Sequence, residues 1–94
     1  MLFKKRGNMV KVRWSRKALK QLLSIDTRYR KTIEEKANSL TAFPQVQLDI
    51  KKLKATDNQY RMRVGDYRVI FQIDDGEPVI CTIQTVKRRT STTY

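Results

Sequence analysis

The chain has 94 residues, which is enough for a single domain with one modest hydrophobic core. Its 21 lysines and arginines stand against nine aspartates and glutamates, and the resulting net charge of +12 indicates a polyanionic partner, most often nucleic acid. With no histidine and one cysteine, Cys81, the composition excludes an internal disulfide framework and a zinc site of the usual kind.

The first half of the chain predicts one strand and two helices. Residues 1–8 are a basic lead-in, and a single domain is expected to span residues 9–94. Residues 9–14, MVKVRW, alternate apolar and basic side chains as a half-buried strand does. Ser15 takes the N-cap position of a helix over RKALKQLLSID, and either Asp26 or Thr27 can cap a second helix of the same period. The short connection between the helices predicts an antiparallel pair.

The second half predicts a three-stranded antiparallel meander. Residues 45–58 are the least informative, and KKLK is interpreted as a basic strand edge or a loop. Residues 59–65, 67–74 and 79–86 alternate with a period of two, and turn signals at Gly65-Asp66 and DDGEP separate them. The fold class is therefore α+β: one mostly antiparallel sheet that includes the N-terminal strand, with both helices packed on one face.

The hairpin YRMRVGDYRVIFQI collects three arginines on one side of the sheet. A two-residue turn at Gly65-Asp66 places Arg63 opposite Arg68, with Arg61 on the same face and the apolar side chains on the other. Opposed like charges destabilise a strand pair by up to about 1 kcal/mol. Solvation explains any one of these arginines, but three together favour a phosphate ligand, which guanidinium groups bind bidentately.

The C-terminal segment IQTVKRRTSTTY adds further cations. A three-residue DDGE connection would bring Arg88 to the arginine face, whereas a two-residue turn would bring Lys87 and Arg89, and the sequence leaves this register open. Tyr94 ends the chain and has three interpretations: a base-stacking platform, a proton-transfer group, or no function. Cys81 is expected to be a small buried hydrophobe, because no histidine is present to act as its base.

These motifs resemble the RelE/ParE toxin superfamily over residues 9–94, most specifically in YRMRVGDYRVIFQID. In the RelE branch, the resemblance implies a ribonuclease that cuts mRNA in the ribosomal A site; in the ParE branch, it implies an inhibitor of DNA gyrase. Both types are held inactive by a cognate antitoxin. Transferred by position, the catalytic residues of the RelE branch are Arg61, Arg63, Arg68, Arg88 and Tyr94.

Two departures from the family pattern concern this set. Family members often carry lysines where this chain has Arg61 and Arg63, and a Val-Gly pair often precedes the last basic residues, where this chain has Thr85-Val86.

The resemblance implies a metal-independent, cofactor-free endoribonuclease (an mRNA interferase), and the positive charge fits an RNA substrate. Arginines would stabilise a phosphorane-like transition state, and the general base is left between Tyr94 and a lysine such as Lys54 or Lys87. The remaining cations expected to bind RNA are Lys51, Lys52, Lys54, Lys87, Arg89, Arg16, Lys17 and Lys20.

The expected partners are the 70S ribosome with its mRNA and ribosomal RNA, and a small acidic or amphipathic antitoxin. This antitoxin would cover the arginine face or displace the C-terminal tail. The free toxin is expected to be monomeric. It is also expected to be cytoplasmic and without membrane association, since no signal peptide or membrane-spanning run is present. Two alternatives stay open: a ParE-like gyrase inhibitor without nuclease activity, and a basic nucleic-acid adaptor without toxicity.

Overall fold

A computed structural model describes residues 10–89, which form one five-stranded sheet and two α-helices. The elements are β1 (Lys11–Trp14), α1 (Arg16–Leu23), α2 (Thr27–Asn38), a short 3-10 helix (Ser39–Ala42), β2 (Asp49–Lys52), β3 (Gln59–Val64), β4 (Tyr67–Asp74) and β5 (Ile80–Arg88). The strand order is β1-β5-β4-β3-β2, with β1 parallel to β5 and the other neighbours antiparallel. The predicted α+β class is confirmed.

Within residues 10–89, the sheet has one strand more than the sequence predicted. This is β2, which comes from the segment interpreted as a strand edge or loop and pairs with β3. Its sequence, DIKK, has one apolar residue, Ile50, so it lacks the alternating apolar pattern that marks the other strands. A short, charged edge strand also resists pairing with other sheets. The antiparallel part of the sheet therefore has four strands, and β2 brings Asp49 and Lys51 beside the arginines of β3.

Both helices begin at side-chain caps that the sequence predicts. The Ser15 hydroxyl accepts a hydrogen bond from the Ala18 backbone N–H at 3.0 Å, and the Asp26 carboxylate accepts one from the Arg28 N–H at 2.9 Å. The Arg28 guanidinium also donates to Asp26, and this hydrogen bond lowers the pKa of the carboxyl group.

The core lies between the helices and one face of the sheet. The largest fully buried side chains are Phe71, Leu22, Ile33, Leu40, Met62, Ile83, Val69 and Cys81. Cys81 is fully buried, which confirms the prediction that this cysteine is a buried hydrophobe, and its burial raises the pKa of the thiol to about 12. Among residues 10–89, no element covers the opposite face of the sheet, and neither helix is long and apolar enough to cross a membrane.

The two-residue turn between β3 and β4 depends on a glycine. Gly65 has φ of +57°, as the first central residue of a type II′ turn requires, and a Cβ added there would meet nothing within 4 Å. We expect Gly65→Ala to lower the free energy of unfolding by about 1 kcal/mol, because alanine is strained at positive φ. Urea denaturation would measure the loss.

A second position provides the matched control for this turn. Ala55, in the β2–β3 connection, already has φ of +65°. Ala55→Gly should therefore raise the free energy of unfolding by about 0.5 kcal/mol, since relief of strain exceeds the entropy cost of glycine. Stability changes of the same sign at Gly65 and Ala55 would contradict this assignment of backbone strain.

Candidate functional site

The sheet face opposite the helices carries a basic cleft of about 340 Å³, which we call the arginine cleft. Its lining residues come from β2, β3, β4 and the end of β5: Asp49, Lys51, Arg61, Arg63, Arg68 and Arg89. Within residues 10–89, five cations thus face one carboxylate. This excess of positive charge on a rigid sheet suits a polyanionic ligand.

The strand register explains why these side chains meet. Arg63 pairs with Arg68 across β3 and β4, as predicted, and Arg61 lies two residues along the same face. In the other direction, Arg63 pairs with Asp49 and Arg61 pairs with Lys51. The convergence of the three hairpin arginines predicted from strand alternation is therefore confirmed.

The arginines of the cleft have little internal compensation. Asp49 Oδ2 lies 3.8 Å from Arg63 Nη1, but both side chains are about half exposed, so this ion pair is weak. Arg68 Nε is buried and has no hydrogen-bond partner among the described residues. A buried N–H without a partner costs about 1–3 kcal/mol, and no described residue offsets that cost. Among the described residues, the positive charge of the cleft is therefore largely uncompensated.

A bulge in β5 decides which C-terminal cations join the cleft. Phe71 pairs with Ile83 but Ile70 pairs with Thr85, so Gln84 is one extra residue in β5. The connection between β4 and β5 spans residues 75–79, longer than either loop considered from the sequence. The bulge shifts the alternation of the strand by one residue from that point onward.

This shift separates Arg88 from its neighbours. Lys87 pairs with Arg68 on the cleft side, whereas Arg88 pairs with Tyr67, whose side chain lies on the helix side of the sheet. Arg89 lines the cleft, and its backbone N–H donates to the carbonyl of the β3–β4 turn at 2.6 Å. The structure thus brings Lys87 and Arg89 to the arginine face and does not bring Arg88 there.

Helix α1 fixes the bulge from the side. β1 ends at Trp14, which pairs with Ile83. Within residues 10–89, no strand therefore pairs with the outer edge of β5 after Ile83. The Gln21 Oε1 accepts from the Val86 N–H at 2.7 Å, and the Ser15 hydroxyl donates to the Gln84 carbonyl at 3.3 Å. Gln21 therefore positions the strand that ends at the cleft, and nothing in the sequence distinguished it from other polar helix residues.

Comparison with known proteins identifies the family. The sequence model of one protein family, the ParE toxin of the type II toxin–antitoxin system parDE, matches residues 12–91 of this chain. Toxin RelE3 of Methanocaldococcus jannaschii is 32% identical over 74 residues, which cover 76% of this chain and 83% of that protein. The chain belongs to the RelE/ParE toxin superfamily.

Solved structures place the toxin in the RelE-like branch. The RelE–RelB complex of Pyrococcus horikoshii contains a chain that is 26% identical, with a TM-score of 0.74 over 89% of this chain and 99% of that one. The RelBE2 toxin–antitoxin complex of Mycobacterium tuberculosis contains a chain that is 25% identical, with a TM-score of 0.73 over 86% and 99%. The protein is a RelE-like toxin of a toxin–antitoxin system, as its sequence predicted.

The other predicted site residues of the RelE-like toxin lie elsewhere. Lys52 pairs with Tyr60 on the helix side of the sheet, and Lys54 lies in the connection after β2. Arg16, Lys17 and Lys20 are exposed on α1, in the layer opposite the cleft. Tyr94 and residues 1–8 lie outside the described residues.

Proposed function

We propose that this RelE-like toxin is a metal-independent endoribonuclease that cuts mRNA in the A site of the 70S ribosome and so blocks translation. The observation that carries the proposal is the convergence of Arg61, Arg63, Arg68 and Arg89 on one cleft. Guanidinium groups bind phosphate oxygens bidentately, and several of them in one cleft favour a phosphate whose negative charge increases during the reaction.

The proposed reaction is attack of a ribose 2′-hydroxyl on the adjacent phosphate. The new P–O2′ bond forms as the P–O5′ bond breaks, which leaves a 2′,3′-cyclic phosphate on one fragment and a 5′-hydroxyl on the other. The cleft arginines stabilise the additional negative charge on the phosphate oxygens of the transition state. Electrostatic donors of this kind each contribute about 100- to 1000-fold in rate.

Proton transfer is the weak part of this site. Arginine remains protonated in proteins and the chain has no histidine, so the candidate bases are Tyr94, Lys54 and Lys87. Lys87 is favoured over Lys54 as the base because Lys87, as the strand partner of Arg68, lies on the cleft side of the sheet. A poor acid–base set implies slow cleavage of free RNA. The ribosome would raise the cleavage rate by holding mRNA in the reactive geometry.

The proposed partners follow from charge and from the relatives. Exposed cations outside the cleft would bind ribosomal RNA: Lys52, Lys54, Arg16, Lys17 and Lys20. Because solved relatives are RelE–RelB complexes, we expect an antitoxin whose acidic segment neutralises the arginine cleft. We expect the free toxin to be a monomer in the cytoplasm, where its ribosomal target resides.

RNA binding by the cleft should depend steeply on salt. If each of the four cleft arginines (Arg61, Arg63, Arg68 and Arg89) neutralises one phosphate, log K should fall against log salt with a slope of about −0.7 × 4, or about −3. Fluorescence anisotropy with a short single-stranded RNA would measure it. Replacing two of the arginines by alanine should reduce the slope by about 1.4; a slope near zero for the unmodified toxin would contradict phosphate binding.

Inhibition of DNA gyrase is the second candidate function, favoured by the match to the ParE family model. Two assays run in parallel distinguish the candidates: mRNA cleavage on programmed ribosomes, and supercoiling by purified gyrase. We expect cleavage without loss of supercoiling, and no cleavage by the Arg61→Ala/Arg68→Ala double variant. Gyrase inhibition that survives the double substitution would support the second candidate instead.

A further inference from the structure

Beyond the arginine cleft, the open face of the sheet carries a hydrogen-bonded series of side chains, which we call the amide row. Gln59 Nε2 donates to Gln84 Oε1 at 2.7 Å, and Gln84 Nε2 donates to Gln72 Oε1 at 2.9 Å. Gln72 Nε2 then donates to Asp74 Oδ1 at 3.0 Å. The three amides come from β3, β5 and β4, and each is half-buried. The row therefore crosses the centre of the sheet.

The carboxylate at the end of the row orients all three amides. A carboxylate only accepts hydrogen bonds, so the Gln72 nitrogen must donate to Asp74. The Gln72 oxygen is then left to accept from the Gln84 nitrogen, and the Gln84 oxygen to accept from the Gln59 nitrogen. This order leaves Gln59 Oε1 as an acceptor and one N–H on Gln59 and Gln84 as donors that the row itself does not use. The row thus presents donors and an acceptor at fixed positions, a pattern that could pair with a nucleobase edge.

The amide row and the arginine cleft lie on one continuous surface. Gln59 is two residues from Arg61 and four from Arg63 on the same strand face, or about 7 and 13 Å along β3. Between them, Ile70 and Thr85 pair with each other across β4 and β5, and Ile70 pairs with Arg61 across β3. Ile70 and Thr85 are half-buried, so Ile70 offers an apolar surface between the arginine cleft and the amide row.

We propose that the amide row is a base-reading subsite for single-stranded RNA. With a phosphate in the arginine cleft, the neighbouring nucleotides extend over Ile70, and the edge of one base hydrogen-bonds to Gln59 and Gln84. Glutamine amides pair with base edges through a donor and an acceptor together, and such contacts discriminate between bases by tenfold or more. The inference rests on the proposed function, since it requires RNA in the cleft.

An abasic scan tests this subsite without requiring cleavage. Short fluorescent RNA oligonucleotides with 2′-O-methyl riboses cannot react through the 2′-hydroxyl, and single abasic positions are moved along the strand. For the unmodified toxin, we expect one position at which loss of the base weakens binding by about tenfold. In Gln59→Leu and Gln84→Leu, the intact and abasic strands should bind alike at that position, while the salt dependence of binding is retained.

Control variants separate base reading from a structural role of the row. Gln47→Leu removes an exposed amide that lies outside the row, and it should leave the abasic scan unchanged. Gln59→Asn keeps a polar group at the outer end of the row but shortens it, and it provides a folded variant if Gln84→Leu fails to fold.

The outcomes distinguish the two proposals. If no abasic position weakens binding by the unmodified toxin while the steep salt dependence is present, the subsite is overturned and the proposal that the arginine cleft binds phosphate is retained. A position-dependent scan that is unchanged in Gln59→Leu and Gln59→Asn would also overturn the subsite. Salt-independent binding, or no binding, would overturn the arginine cleft and with it this inference.

Discussion

Arg68→Ala should reduce ribosome-dependent mRNA cleavage by about 100-fold or more, as expected for loss of one preorganised electrostatic donor. Arg68 is the central cation of the cleft, with Arg63 opposite it on β3 and Lys87 opposite it on β5. Its Nε is buried, and no group among residues 10–89 accepts a hydrogen bond from it, so the charge of this arginine has no partner within the described fold. Primer extension on programmed ribosomes would measure the rate.

The same substitution should not destabilise the fold. Removing Arg68 relieves like-charge pairs with Arg63 and Lys87, so the free energy of unfolding is expected to rise by about 0.5 kcal/mol. Loss of activity together with a gain in stability would identify a residue retained for its ligand, whereas loss of both would indicate a structural role.

Two further variants serve as controls for Arg68. Arg68→Lys keeps the charge but not the planar fork, so it should recover only part of the activity. Lys36→Ala removes one positive charge from an exposed position of α2, away from the cleft, and should leave the cleavage rate unchanged. Equal losses in Arg68→Ala and Lys36→Ala would mean that net charge, and not the cleft, governs activity.

Arg89→Ala and Arg88→Ala should differ strongly even though the residues are neighbours with the same charge. Arg89 lines the cleft and is held to the β3–β4 turn through its backbone, whereas Arg88 pairs with Tyr67 on the helix side. We expect Arg89→Ala to reduce cleavage by about 10- to 100-fold, and Arg88→Ala to have a much smaller effect. The cleavage assay used for Arg68 measures both.

This pair tests the bulge at Gln84 as well as the site. The resemblance to the RelE branch implies a catalytic role for Arg88, whereas the strand register brings Arg89, and not Arg88, to the cleft. A larger loss in Arg88→Ala would contradict the register of the last strand. Gln21→Leu offers an independent check, because it removes the acceptor that holds the Val86 N–H next to the bulge. This variant should lower activity by disturbing the position of Arg89 without removing any cation.

The central hairpin could be predicted from the sequence because two signals agree there. Strict alternation in β3 and β4 sets the two faces, and the Gly65-Asp66 turn sets the register, so the pairing of Arg63 with Arg68 follows. β2 gave no such signal, because a four-residue charged edge strand needs only one apolar side chain, Ile50, to face the core.

The ends of the site could not be predicted for a different reason. A bulge adds one residue without a distinctive side chain, so IQTVKRR is compatible with either Arg88 or Arg89 at the cleft. The amide row was also missed, since Gln59, Gln72 and Gln84 meet across three strands and are far apart in the sequence. Both features depend on tertiary pairing, which local patterns do not encode.

The most direct test of the account is to map the 5′ ends of mRNA on purified ribosomes programmed with a defined codon in the A site. With unmodified toxin, we predict new 5′ ends inside that codon, no cleavage without ribosomes, and a 2′,3′-cyclic phosphate on the upstream fragment. The Arg61→Ala/Arg68→Ala double variant should produce none of these ends. Intact mRNA on ribosomes with unmodified toxin, or the same cuts by the double variant, would contradict the proposal that the arginine cleft cleaves RNA.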